Sequence, residues 1–116
     1  MQGLIKALKA LSDETRLRIL KILLERECCV CEIMQALAIS QSRVSHNLRI
    51  LEEAGLLKSR KNGVWIVYSI DWQSTNSHAI ALTELLKNLP ISDKTLAEDR
   101  ARLKRSCRVG PKVLKK

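Results

Sequence analysis

The apolar rhythm of this chain changes at Gly55. Before it, apolar residues recur every three to four positions; beyond it, Val64, Ile66, Tyr68 and Ile70 alternate with Trp65, Val67 and Ser69. A period near 3.6 is the mark of a helix and a period of two that of a strand. Asn62-Gly63 stands between the short runs 56–61 and 64–70, and an Asn-Gly step in that setting is a strong hairpin signal. The second half of the sequence is therefore expected to open with a β-hairpin, and everything before it to be helical.

Four helices fit ahead of the hairpin. Leu4, Ile5, Leu8 and Leu11 share helical spacing over 3–11. Ser12 offers an N-cap for a second helix over 15–26, whose start Asp13 and Glu14 suit. A third spans about 31–38, with Ile33, Ala36 and Leu37 inward. Ala38-Ile39-Ser40 is a tight turn, and Ser40 can cap a fourth helix over 41–54 that stops at Gly55. After the hairpin, Ala79, Leu82, Leu85, Leu86 and Leu89 mark a helix over 75–89 ended by Pro90. Residues 93–105 can form a further charged helix, and 108–116 read as a mobile end. Two short helices joined by a tight turn and followed by a hairpin describe a winged helix-turn-helix, mostly α with one β-hairpin.

The fourth helix carries the chemistry. At about 100° per residue Val44, Leu48 and Leu51 form a buried stripe, and Ser42, His46, Arg49 and Glu53 occupy the opposite face, with Ser45 at its edge and Arg43 on the flank. Small hydroxyls let a helix sit deep in a major groove. Arg can donate two bonds to guanine, and Ser, Gln and His can reach other base edges or phosphates. The expected DNA contacts are Ser40, Gln41, Ser42, Arg43, Ser45, His46 and Arg49, with Lys58, Arg60 and Lys61 at the hairpin tip gripping phosphates as a wing.

The net charge of +9 supports that reading less than it first suggests. Residues 1–99 hold 13 Lys/Arg against 12 Asp/Glu, whereas 100–116 hold 8 Lys/Arg and no acid. The excess sits at the C-terminal end, so 1–92 is expected to be the DNA-binding and dimerisation domain and 93–116 a basic tail. No apolar run approaches the roughly 18 residues of a membrane span. With no secretion-signal layout at the N-terminus, a cytoplasmic protein with no membrane partner is expected, and its four cysteines are expected to be thiols or metal ligands rather than structural disulfides. Phe is absent, so the core must be aliphatic.

The segment Ala38–Leu57, AISQSRVSHNLRILEEAGLL, resembles the recognition region of the ArsR/SmtB metal-sensing repressors, and Ala7–Leu20, ALKALSDETRLRIL, resembles that family's opening pattern. The resemblance covers residues 4–89. It implies a homodimer joined through the first and last core helices, double-stranded operator DNA with an inverted repeat as partner, and release by an inducer. The apolar faces of 4–11 and 79–89 independently call for a partner surface.

Cys28, Cys29 and Cys31 crowd the start of the third helix, and Cys107 stands alone near the end. Thiolates select soft, thiophilic ions, and a helix N-terminus lowers a thiol's pKa. Within the resemblance, Glu27–Ile33 is similar to the arsenic and antimony site of some members, in which a third Cys follows three residues after Cys-Val-Cys. Met34 stands at that position here, so As(III) or Sb(III) bound to Cys29 and Cys31 would need Cys28 or Cys107 as third ligand; Cd(II), Pb(II) and Zn(II) are the other inducers to consider. Cys28 and Cys31 can share a helix face. Cys29 and Cys31 cannot, unless the first turn distorts. The zinc site on the last helix of other relatives has only Asp71, His78 and Glu84 as counterparts, one His too few.

Two rivals remain. Adjacent cysteines can oxidise instead of binding metal, which would make a thiol-redox-sensing repressor. Cys28-x-x-Cys31 at a helix start also occurs in thiol-disulfide oxidoreductases, but there a strand leads into the motif, and 40–61 would have no purpose. The expectation is therefore a regulator and not an enzyme.

Overall fold

The computed structural model describes residues 1–110; residues 111–116, most of the end expected to be mobile, lie outside the described residues. Helix α1 (Gln2–Leu11) buries Ala7 and Ala10. Helix α2 (Glu14–Glu25) is capped by Asp13, whose Oδ2 accepts from the Arg16 amide at 3.0 Å, so the cap falls one residue later than Ser12. Strand β1 (Cys28–Cys29) follows, then helix α3 (Val30–Leu37). Ala38 closes α3 in the left-handed region at φ 56, a conformation that costs a residue bearing a Cβ about 1–2 kcal/mol and lets the chain reverse within three residues. Helix α4 (Gln41–Glu53) starts at Ser40, whose Oγ accepts from the Arg43 amide at 3.3 Å.

Strands β2 (Leu57–Asn62) and β3 (Trp65–Ile70) form the hairpin. Their register pairs Asn62 with Trp65, so the two loop residues are Gly63 and Val64. Gly63 has φ +65 at the first loop position and Val64 has no positive φ, the pattern of a type II′ turn. The hairpin gains a third strand that the alternation did not announce: β1 pairs antiparallel with β3, Cys28 opposite Tyr68 and Cys29 opposite Val67, giving the order β1-β3-β2. Two residues are too few to show a period, so the strand is invisible in the sequence.

Helix α5 (Ser77–Asn88) begins at Asn76, whose Oδ1 accepts from the His78 amide at 3.2 Å. Its Nδ2 donates to Gly3 O at 3.0 Å and Ala54 O at 3.1 Å, so one amide joins the ends of α1, α4 and α5. Gly55, at φ +82, lies against Ser74; a Cβ there would come within 2.7 Å of Ser74 Oγ. The core is aliphatic, built around Ile19, Leu20, Ile22, Ile33, Leu48, Leu51, Leu56 and Leu57.

Helix α6 (Lys94–Arg105) differs most from expectation. It is not a tail appended after residue 92. Leu96 and Leu103 are buried, and Asp99 is fully buried against α2 and α3. Asp99 takes two bonds from Arg18, both at 2.8 Å, and one from Arg102 at 2.9 Å. The same arginines donate onward to the last carbonyls of α3: Arg18 to Leu37 O at 3.1 Å and Arg102 to Ala36 O at 2.8 Å. The carboxylate raises the Arg18 pKa, its hydrogen bond outweighing the opposing effect of burial. No helix among the described residues is long and apolar enough to cross a membrane.

Candidate nucleic-acid interface and thiol pair

The buried stripe of α4 is Val44, Leu48 and Leu51, each fully inaccessible. Ser42, Arg43, His46 and Arg49 are exposed on the other side, and Ser40 is exposed at the helix start; Gln41 and Ser45 are half-buried at its margin. Among the described residues His46 and Arg49 make no hydrogen bond or ion pair, and Arg43 only a 3.4 Å contact to Thr15 Oγ1. The face is thus a set of donors with little internal engagement, open to a groove.

One residue of α4 escaped the sequence reading. Asn47 lies at the edge of the apolar stripe and is 8% exposed. Its Oδ1 accepts from Arg16 Nη1 at 3.1 Å, and its Nδ2 donates to Arg43 O at 2.8 Å. A polar side chain at the margin of a buried stripe needs partners, and that was the available signal.

The wing differs from expectation because side chains alternate across a strand. Ser59 and Lys61 share the face toward α4, where Ser59 Oγ donates to Glu52 Oε2 at 2.9 Å. Lys58 and Arg60 take the opposite face. Arg60 is not free at the tip: both its Nη groups donate to the Glu27 carboxylate at 2.7 Å, an exposed pair that lowers the Glu27 pKa through that hydrogen bond. Of the three cations expected at the wing, Lys61 is the one on the α4 side.

The cysteines divide in the same way. Cys28, in line with Ser59 and Tyr68, points into the hydrophobic core, and its thiol donates to Arg26 O at 3.5 Å. Burial pushes its pKa up to about 12, against the lowering expected at a helix start, because Cys28 lies in a strand ahead of the helix. Cys28 therefore stands apart from the other sulfurs as a neutral core thiol. With reduced protein at pH 8, iodoacetamide is expected to modify exposed Cys107 within minutes and Cys28 only after denaturation; mass mapping of the adducts checks this, and rapid native labelling of Cys28 would contradict it.

Cys29 and Cys31 are joined sulfur to sulfur, with Cα atoms 5.5 Å apart, where thiols or metal ligands rather than a disulfide were expected. No distortion of the helix is needed, because α3 starts at Val30 and Cys29 is its N-cap in extended conformation. The Cys29 amide donates to Glu32 Oε1 at 2.9 Å. Glu32 also pairs with Arg26 at 2.8 Å and Arg108 at 3.5 Å. Burial alone would raise the Glu32 pKa, but the Arg26 and Cys29 bonds together with the charges of Arg26 and Arg108 hold it low.

Both cysteines are 1% exposed, yet neither belongs to the main core, and the segment after α6 is bonded to residues beside them. Arg26 Nη2 reaches Leu103 O at 3.2 Å and Ser106 Oγ at 3.1 Å. Gln35, one turn beyond Cys31, clips the Cys107 backbone from both sides: Nε2 donates to Cys107 O at 2.7 Å, and Oε1 accepts from Cys107 N at 3.2 Å. The Trp65 indole N–H donates to Val109 O at 2.8 Å, and Arg108 lies 5.5 Å over the Trp65 ring. Residues 106–109 thus form a strap across the start of α3 and the outer face of the hairpin. The Cys107 backbone is placed beside this helix while its side chain stays exposed. Among the described residues no three His, Cys, Asp or Glu side chains converge as a ready metal site. Reduction of the joined pair would free two soft thiolates at the start of α3, which suits a thiophilic ion but is one ligand short of a trigonal site.

Residues 13–59 match the family described as bacterial regulatory protein, arsR family. An uncharacterised helix-turn-helix transcriptional regulator of Methanocaldococcus jannaschii is 49% identical over 63 residues, 53% of this chain and 71% of that protein. The cadmium resistance regulatory protein CadC homolog of Staphylococcus aureus is 45% identical over 67 residues, and the arsenical resistance operon repressor of Escherichia coli 46% over 67; each match covers 57% of this chain. The chain spans little more than half the length of those two, 55% and 57%. Among solved structures, reduced HlyU of Vibrio cholerae superposes with a TM-score of 0.66 at 35% identity, over 78% of this chain and 92% of that one. A homodimeric winged helix-turn-helix DNA-binding domain of Mycobacterium bovis superposes with 0.64 at 29%, over 74% and 76%. These likenesses, with a tight-turned helix pair, a polar reading face and a hairpin wing, leave no place for the oxidoreductase alternative: the chain belongs to the ArsR family of winged helix-turn-helix, DNA-binding transcriptional repressors.

Proposed function

We propose that this protein represses as a homodimer on an inverted-repeat operator in the cytoplasm and is released when a soft thiophilic species binds the Cys29 and Cys31 thiolates. Trivalent arsenic is the first choice and antimony the second; Cd(II), Pb(II) and Zn(II) are further candidates. The observation that carries the reading is the meeting of two sulfurs at the first turn of α3, the helix whose far end a three-residue turn joins to α4. DNA contacts are assigned to Ser40, Gln41, Ser42, Arg43, Ser45, His46 and Arg49, with Lys61 on the wing. Cys107 is the favoured third ligand, since its backbone already lies beside α3 and Cys28 is turned into the core. Drawing the Cys107 sulfur inward would pull the strap off Gln35 and Trp65. The two clamps on α3, at Glu32 and at Leu37, would then no longer act together, and a shift of α3 by an ångström or two is passed to α4.

Fluorescence anisotropy of the fully reduced protein on operator DNA, challenged in turn with arsenite, cadmium and zinc, tests this. Effector coupling is expected to weaken DNA affinity about 5- to 150-fold, and DNA must weaken effector binding by the same factor. Cys29→Ser and Cys31→Ser are expected to abolish the response. Arsenite release that survives both substitutions would defeat the proposal.

The joined sulfurs favour one second reading, oxidation of the same pair. Peroxide would take two electrons and two protons from the two thiols, leaving the disulfide and two waters. Operator release by peroxide without response to arsenite would select it.

A further inference from the structure

Arg16 spends its guanidinium on three acceptors from two helices. Nε donates to Ala10 O at 2.6 Å and Nη2 to Lys9 O at 3.3 Å, both at the C-terminal end of α1, while Nη1 donates to Asn47 Oδ1 in α4. Asn47 in turn returns a bond to its own helix at Arg43 O. We propose that Arg16 and Asn47 are positioning residues that set the rotation of α4 about its axis, and through it the preference for operator over arbitrary duplex.

The physical case starts from what the rest of α4 cannot do. Val44, Leu48 and Leu51 hold the helix to the core by apolar burial, which is strong but non-directional. Aliphatic contacts tolerate a small roll of the helix at little cost. A leucine at position 47 would widen the apolar stripe and suit a helix at least as well as asparagine. The buried amide instead makes a directional bond to a fork that is itself fixed on α1. With side chains the helix radius is about 5–6 Å, so a roll of about 10° moves the outward groups by roughly 1 Å. Hydrogen bonds to base edges hold within a few tenths of an ångström, whereas phosphate attraction is long-ranged and indifferent to that shift. Loss of the Arg16–Asn47 bond therefore erodes sequence reading and spares non-specific binding. Asn47 is too buried to touch DNA, so it acts through Arg43, His46 and Arg49 on its own helix.

The test rests on α4 being the reader. It uses full-length reduced protein, one duplex selected by the wild type from a random pool, and a scrambled duplex of the same composition. Asn47→Leu keeps volume and helicity; Arg16→Lys keeps the charge but not the fork. Each is expected to lower the ratio of selected to scrambled affinity about 10-fold, the value of one lost base contact, with scrambled-duplex affinity unchanged within twofold. The double variant is expected to be no worse than either single, because both remove one link. Thermal melts confirm that each variant is folded. An unchanged ratio, an equal loss on both duplexes, or independent effects that multiply in the double variant would overturn the proposal.

Discussion

Asp99→Ala is expected to destabilise the folded protein by about 3 kcal/mol or more. Asp99 is inaccessible to solvent and neutralises two arginines, at 16% and 32% side-chain exposure. Breaking a buried ion pair by removing one partner costs about 3–5 kcal/mol, because a charge is left uncompensated. Here the survivors are partly hydrated, which places the loss at the lower end. Against a total stability of about 5–15 kcal/mol that is a large fraction, and for a domain of this size it lowers Tm by about 10 °C or more. Asp99→Asn keeps the shape and one acceptor and should cost distinctly less. Urea melts with an unchanged m-value read both. A loss below about 1 kcal/mol for Asp99→Ala would mean that α6 is held by Leu96 and Leu103 alone. The functional consequence follows from position: Arg18 and Arg102 reach Asp99 and the last carbonyls of α3 at once, so freeing them loosens the end of α3 that feeds the turn into α4.

The pieces that rest on a repeated period were legible in the sequence. Val44, Leu48 and Leu51 recur at helical spacing and are buried; the exposed face opposite them follows from the same wheel. The hairpin followed from alternation and from Gly63, although the loop is Gly63-Val64 because register is set by pairing across strands, which one strand's pattern does not encode. What depended on distant partners was not legible. Asp99 stands at the edge of a run of basic residues, and charge counting treats it as part of a solvated tail; nothing local reveals that Arg18, 81 residues away, waits for it. The two-residue strand β1 exists only because β3 is beside it, and it separates Cys28 from its neighbours: consecutive residues of a strand face opposite sides, so three crowded cysteines become one core thiol and one joined pair. The wing cations were divided by the same alternation, and Arg60 was claimed by Glu27 from outside the hairpin. The strap of residues 106–109 has no periodic signature at all; it is held by one indole, one amide, one guanidinium and one carboxylate.

Leu85→Glu is expected to turn the proposed dimer into a folded monomer and to weaken operator binding about 100-fold or more. Helices α1 and α5 lie side by side, and the outward surface they share carries Ile5 at 44% exposure, Leu8 at 46%, Leu85 at 58% and Leu89 at 44%. Four large aliphatic side chains left exposed on α1, on α5 and at its C-cap are apolar surface that water covers at a cost and a second copy would cover with gain. A two-fold axis through it would present two α4 helices to the two halves of an inverted repeat. Linking two readers raises apparent affinity by about 10²–10⁴ over one, and that factor vanishes with the dimer. Glu at position 85 places a charge in the middle of the apolar face, and pairing two copies would bury both charges without partners. The monomer fold loses little, since Leu85 is already more than half exposed and its helix tolerates Glu well. Sedimentation equilibrium should therefore find 13.2 kDa for the variant and twice that for the wild type. Anisotropy should find the operator affinity collapsed and half-site affinity preserved. A Leu85→Glu protein that remained dimeric and bound operator normally would move the interface elsewhere, and the α1–α5 face would then need a different explanation. Thiol chemistry supplies a second check on the same surface: Cys29 and Cys31 lie away from α1 and α5, so monomeric Leu85→Glu should still take up arsenite while having no two-site operator complex to release.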